Sequence, residues 1–194
     1  MKSTKKSVEP SPLVEHFEVL DEHGTLRQKY TMQDKQLHGP FQLYDEHARL
    51  MQESSFVQGN LDGEQKLYLQ GHLRSINYFQ DGKLHGITSL LAATGEVISS
   101  TPYVQGLAHG EALDYSPSGS VLRRAQYDRG RLQGEVKTYH SDGTLQSVTP
   151  YQHDKVEGEA IQYAPDGSEV ERVLYREGKP LDKAPADIPT RRSA

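Results

Sequence analysis

Histidines and carboxylates are the side chains here with chemical capacity, and both recur at fixed places. His38, His85 and His109 each stand immediately before a glycine. Equivalent places two strands apart lie about 10 Å from one another, so a bridged metal is geometrically conceivable. Yet the full column reads His38, Asp62, His85, His109, Gln133 and Glu157, a polar turn position. A zinc site needs three or four convergent ligands, so no metal or other cofactor is expected. Glu111, Glu135 and Glu159 also recur, each just after a glycine. A general acid and its base are singular groups, and one carboxylate per repeat reads as structural or solvated. The chain contains no Gly-x-Ser-x-Gly elbow, no phosphate loop and no His-Glu-x-x-His motif. Without cysteine it has no thiolate chemistry either. The expectation is a protein that is not an enzyme.

What positions these groups is a repeat. Glycines fall at Gly39, Gly63, Gly86, Gly110, Gly134 and Gly158, with spacings of 24, 23, 24, 24 and 24 residues. A second series runs Gly24, Gly71, Gly95, Gly119, Gly143 and Gly167, with Ala48 in the missing place. A third runs Gly59, Gly82, Gly106, Gly130 and Gly178, with Asp154 once in its place. Nine of the eleven tyrosines occupy two further positions. One series is Tyr44, Tyr68, Tyr115, Tyr139 and Tyr163; the other is Tyr103, Tyr127, Tyr151 and Tyr175, continued by Phe56 and Phe79.

Each unit reads as two strands. Turn formers cluster at Ser116-Pro-Ser-Gly119, Ser141-Asp-Gly143 and Ala164-Pro-Asp-Gly167, and Asp-Gly and Pro-x-Gly supply the positive φ of a tight turn. The intervening runs of six or seven residues are of strand length. They predict an all-β fold, an open elongated antiparallel meander of tandem hairpins. Along the second strand Leu73, Ser75, Asn77 and Phe79 share one side, as do Val97, Ser99, Thr101 and Tyr103, and Leu145, Ser147, Thr149 and Tyr151. Such a ladder buries its rings by stacking on its neighbours. A half repeat and six full ones are expected over residues 17–181, between disordered tails at 1–16 and 182–194.

These motifs resemble the MORN repeat family in its bacterial variant form. Gly130-Arg-Leu-Gln-Gly134-Glu135-Val-Lys-Thr-Tyr139 with Asp142-Gly143-Thr-Leu145 carries the resemblance, and so does Gly82-Lys-Leu-His-Gly86. Departures are Lys35 and Asp154 at the leading glycine, Ala48 at the turn glycine and Leu91 at the tyrosine. Chains built only of such repeats resemble the YwqK-type antitoxins. That resemblance implies a non-enzymatic immunity protein neutralising a secreted toxin, including type VI effectors, by direct binding. Other members of the family imply the alternative, a scaffold or phospholipid-associated module.

Composition narrows the partners. The hydrophobic fraction is 34%, the mean hydropathy −0.76 and the net charge −5. That charge opposes bulk attraction to nucleic acid and disfavours anionic lipid. No apolar run is long enough for a membrane helix, and Met1–Pro12 lacks the apolar core of a secretory signal. A cytoplasmic protein is expected.

Periodic residues build the architecture, so function is sought where copies differ. The opposite side of the second strand carries Met51, Arg74, Ile76, Ile98, Leu122, Arg124, Val148 and Arg172. Arg74, Ile76, Ile98, Leu122, Arg124 and Arg172 are the candidate partner-binding residues, since arginine mixed with aliphatics suits a protein interface. The same side reads equally well as one covered by the sheet's twist or by the tails. Two further readings stay open. Arg123, Arg124, Arg129 and Arg131 form either an anion patch or a solvated face, and residues 87–105, charged only at Glu96, form either the array's middle or an apolar contact.

Overall fold

The structure is a computed structural model that describes residues 13–181. It resolves into two compact units, one ending at Gly95 and the other beginning at Glu96. The first contains β1 (Val14–Leu20), β2 (Leu26–Gln33), β3 (Gln36–Tyr44), β4 (Leu50–Val57), β5 (Asn60–Leu61), β6 (Gly63–Leu69), β7 (His72–Gln80), β8 (Lys83–Leu84) and β9 (Gly86–Leu91). The second contains β10 (Val97–Val104), β11 (Leu107–Ala108), β12 (Gly110–Tyr115), β13 (Val121–Asp128), β14 (Arg131–Tyr139), β15 (Leu145–Gln152), β16 (Lys155–Val156), β17 (Gly158–Tyr163), β18 (Glu169–Arg176) and β19 (Lys179–Pro180).

Within each unit successive strands pair antiparallel, and the fold is all-β as the glycine series predicts. The partial copy at the start forms a whole hairpin, β1 with β2. Its first strand reaches back to Val14, into the segment expected as tail, because Val14, Glu15 and His16 pair with Gln33, Met32 and Thr31. The remaining tail residues, 1–12 and 182–194, lie outside the described residues.

Two kinds of turn set the register. Between repeats, two consecutive residues adopt positive φ, as at Gln58 (50°) and Gly59 (83°). That is the pattern of a two-residue type I′ hairpin, whose twist matches the flanking strands. The pattern survives where the leading glycine is lost: Asp34 and Lys35 (51° and 63°), and His153 and Asp154 (51° and 69°), keep it. Within a repeat the turn is longer, and a side chain holds it. Asp45 Oδ1 accepts the backbone N–H groups of His47 and Arg49, both at 2.9 Å, and Ala48 sits at φ 57°. Asp21 does the same with His23 and Thr25, while Asp142 and Asp166, two places later in their turns, each accept one backbone N–H, from Thr144 and Ser168.

One repeat departs from this pattern. Leu69 pairs directly with His72 around Gln70 and Gly71, again at positive φ (53° and 82°). This two-residue turn is shorter than its counterparts, which accounts for the single spacing of 23 in the glycine series.

The two faces differ in burial. The side carrying Ser75 and Asn77 is the inner one: both are buried, along with Ser54, Gln65, Ala112, Ala125 and Val136. These side chains are small or polar, and among the described residues no large one is fully buried. Ser75 donates to Asn77, whose amide donates to Gln65, so these three buried polar side chains satisfy one another inside the sheet.

Direct ring-to-ring contact is confined to the first hairpins among the described residues. Ring contacts among the described residues join Phe17 to Tyr30 (5.2 Å), Tyr30 to Phe41 (6.4 Å) and Phe41 to Phe56 (5.7 Å), on β1 to β4. Equivalent rings of consecutive repeats are two strands apart, about 10 Å, beyond the 4.5–7 Å at which aromatic rings contact. Phe17, Tyr30, Phe41 and Phe56, one ring on each consecutive strand from β1 to β4, close that gap.

The motif glycines face a side chain eight positions earlier. A Cβ at Gly86 would stand 3.0 Å from Tyr78 Cβ, with φ at +113°, whereas one at Gly119 (φ +83°) meets nothing within 4 Å. Gly86→Ala is therefore expected to destabilise the protein by ~3 kcal/mol and Gly119→Ala by ~1 kcal/mol, measured by urea unfolding. Equal losses would contradict the close approach at Gly86.

The turn carboxylates make stability sensitive to acid. Backbone hydrogen bonding from Arg49 is the main cause that holds Asp45 at about 2, below its ordinary 3.8. A depressed pKa means stabilisation that is complete above the ordinary value and is lost as pH falls towards the folded one. The melting temperature should fall between pH 3.8 and 2, and Asp45→Asn should show a smaller fall. An identical fall in the variant would contradict the assignment.

Candidate protein-binding face

The outer side of each sheet is built from residues that are direct cross-strand partners. In the second unit the row runs Ser100, Leu113, Arg124, Lys137, Val148, Ile161 and Arg172. Antiparallel pairing places directly opposite residues on one face, so Arg124, Val148 and Arg172 come together as the alternation along the second strands predicts. Leu122 is the extra residue of the bulge on β13, between Arg123 opposite Asp114 and Val121 opposite Tyr115, and so has no direct partner on β12; Ile98 lies two residues from Ser100 on β10. In the first unit the corresponding row is Glu18, Lys29, Gln42, Glu53, Lys66, Ile76 and Ser89. Ile76 is a member of that row. Arg74 falls where the register shifts between Leu67 and Tyr68 and so has no direct partner on β6.

Sequence reasoning missed Lys29, Glu53, Lys66, Leu113, Lys137 and Ile161. Lys66, Leu113, Lys137 and Ile161 lie on first strands, whose alternation is offset from that of the second strands by a bulge at shifts such as Asp114/Tyr115 and Thr138/Tyr139; Lys29 and Glu53 lie on second strands. The extra residue reverses the simple alternation, and nothing in the glycine spacing alone says on which strand it falls.

Carboxylates supply the counter-charges of the row. Arg124 reaches both oxygens of Glu111 at 3.2 Å, and Lys137 reaches Glu135 at 2.8 Å. Arg172 is held by Glu169 and also contacts Glu159. In the first unit Lys66 pairs with Glu64 at 2.6 Å, and Lys29 with Glu18 at 2.9 Å. Hydrogen bonds donated to these carboxylates raise the pKa values of Arg124, Lys137, Arg172, Lys66 and Lys29. The recurring glutamates after the motif glycines are thus structural counter-ions. Among the described residues Arg74 is the candidate arginine without an ion pair, and it is half-buried.

The first tyrosine series belongs to this face as well. Tyr44 donates to Gln42, and Tyr68 donates to Glu53 at 2.8 Å. Burial, and then the hydrogen bond to Glu53, push the Tyr68 phenol up. Tyr139 lines an open depression of about 430 Å³ with Glu111, Arg124, Gln126, Glu135 and Lys137. It is a shallow site rimmed by paired charges, a shape for contact with another surface. Among the described residues no three His, Asp or Glu side chains converge as metal ligands, and the column of His38, His85 and His109 stays dispersed along the turns. No helix is long and apolar enough to cross a membrane.

Exposed ion pairs contribute little to folding. Arg124→Ala is accordingly expected to leave the thermal unfolding curve superimposed on that of the wild type. A clear drop in melting temperature would show that the pair with Glu111 holds the sheet rather than the surface.

Comparison with known proteins places this hairpin architecture. Residues 132–153, which span most of β14, the turn at Gly143 and β15, match the family model described as MORN repeat variant. No curated protein matches the chain. The chain carries the MORN repeat variant, matched at residues 132–153, and the same spacing of turns and glycines recurs through both units.

Proposed function

We propose that this repeat-based binding module acts as a non-enzymatic antitoxin or immunity protein, holding a cognate toxin by direct contact in the cytoplasm. The observation that carries protein binding is the outer row. There Ile76, Leu113, Val148 and Ile161 interrupt pairs of opposite charge, and the composition of the row changes from strand to strand. Aliphatic side chains set among charge pairs that are already satisfied desolvate readily against a complementary surface. The antitoxin reading rests on the likeness to YwqK-type chains. The phospholipid alternative needs a surplus of positive charge, and on this face Lys29, Lys66, Arg124, Lys137 and Arg172 each have a carboxylate partner.

The test is co-purification with the product of the adjacent gene, together with growth of cells that express that product. The reading expects a stable complex and rescued growth. Arg74→Glu combined with Arg124→Glu should abolish both while leaving the melting curve intact. Failure to form a complex or to rescue growth would overturn the antitoxin reading, and salt-sensitive binding to anionic vesicles instead would support the membrane alternative.

A further inference from the structure

We propose that β1 is a self-recognition edge, through which two copies of this chain join their first units antiparallel about a two-fold axis at Phe17. Among the described residues β1 pairs with β2 alone, so the backbone groups along its other side have no strand partner. Open edges are normally blunted by lysine, proline or a bulge that turns them away. The strand reads Val14-Glu-His-Phe-Glu-Val-Leu20, with neither lysine nor proline. Its bulge comes at the last residue, between Val19 and Leu20. Apolar side chains are exposed along it, Val14 at 48% and Leu20 at 56%.

The occupant is named by the strand's complementarity to itself. With Phe17 opposite Phe17 of the second copy, His16 falls opposite Glu18, and Val14 opposite Leu20, each twice by symmetry. Shifting the register by two residues instead puts Glu18 against Glu18. The groups are already posed for this register. Thr31 Oγ1 lies 3.3 Å from His16 Nδ1. With the threonine donating there, Nε2 carries the ring proton and donates to the second copy's Glu18. That carboxylate already accepts from Lys29 at 2.9 Å and has a second oxygen to offer. Phe17 ends the aromatic run through Tyr30 and Phe41 to Phe56. Directly opposite Cβ atoms in an antiparallel pair lie about 5 Å apart, so the second Phe17 continues that run across the axis. On the face beside this strand, a cleft of about 440 Å³ runs inward across β2 to Pro40 and Gln42 of β3.

This association uses only the β1 end of the outer row, at Glu18, and needs no toxin, so its failure leaves the binding reading standing. Sedimentation equilibrium of the full chain should show a mass rising with concentration to twice 21.8 kDa and no further. Because the chain has no cysteine, Phe17→Cys should form a disulfide-linked dimer on oxidation. Val19→Cys should not, since in this register the two substituted positions lie about 13 Å apart. His16→Glu and Glu18→His should each weaken self-association about tenfold, and the double variant should recover it by exchanging the two groups. A monomeric mass at every concentration, growth beyond the dimer, or equal cross-linking at positions 17 and 19 would each overturn the proposal.

Discussion

A sheet that takes no large side chain fully out of water cannot rely on a thick core to choose its register, and this constraint governs the rest of the molecule. A one-residue slip in a strand exchanges its faces, and with a floor of serine, alanine and asparagine the apolar penalty for that slip is small. The turns therefore carry the specification. Consecutive left-handed residues close each repeat onto the next, and a carboxylate or hydroxyl that accepts backbone N–H groups closes the hairpin within it. Lys35 makes the point most clearly. It holds φ 63° without being glycine, a strained conformation that persists because the flanking ladder requires it.

Once turns hold the register, the exposed face is free to vary. The inner row must remain small or capable of pairing with itself, as in Ser75 to Asn77 to Gln65. The outer row has no such demand beyond charge balance, and the two units use that freedom differently. The first alternates acid and base through Glu18, Lys29, Glu53 and Lys66, whereas the second sets Arg124, Lys137 and Arg172 among aliphatics and draws its carboxylates from neighbouring positions. A repeat protein can thus present different surfaces on an unchanged frame, which suits a module whose work is recognition.

Much of this was legible before any coordinates. The three glycine series mark the turns, and the alternation of Ser75, Asn77 and Phe79 names the inner face, whereas Leu73, beyond the bulge at Arg74, pairs with Tyr68 on the other side. Legibility ended at the bulges. The extra residue opposite Tyr115 and Tyr139, Leu122 or Gln146, falls on the second strand and offsets its alternation from that of the first strand, hiding Leu113, Lys137 and Ile161 and placing the two tyrosine series on opposite faces. Ion pairing was hidden for a related reason. Glu111 and Arg124 are thirteen residues apart, and only the register shows that they meet.

Those two tyrosine series provide the most direct measurement of where the partner sits. Hydroxyl-radical footprinting of the chain, free and bound to the captured partner, reads side chains individually and so distinguishes the faces of a single strand. Protection of Tyr139, Ile161 and Ile76, with Tyr127 and Tyr151 as reactive as in the free chain, is the result expected of an outer-face binding module. Protection of Tyr127 and Tyr151 with Tyr139 unchanged would place the partner on the inner face and contradict the account.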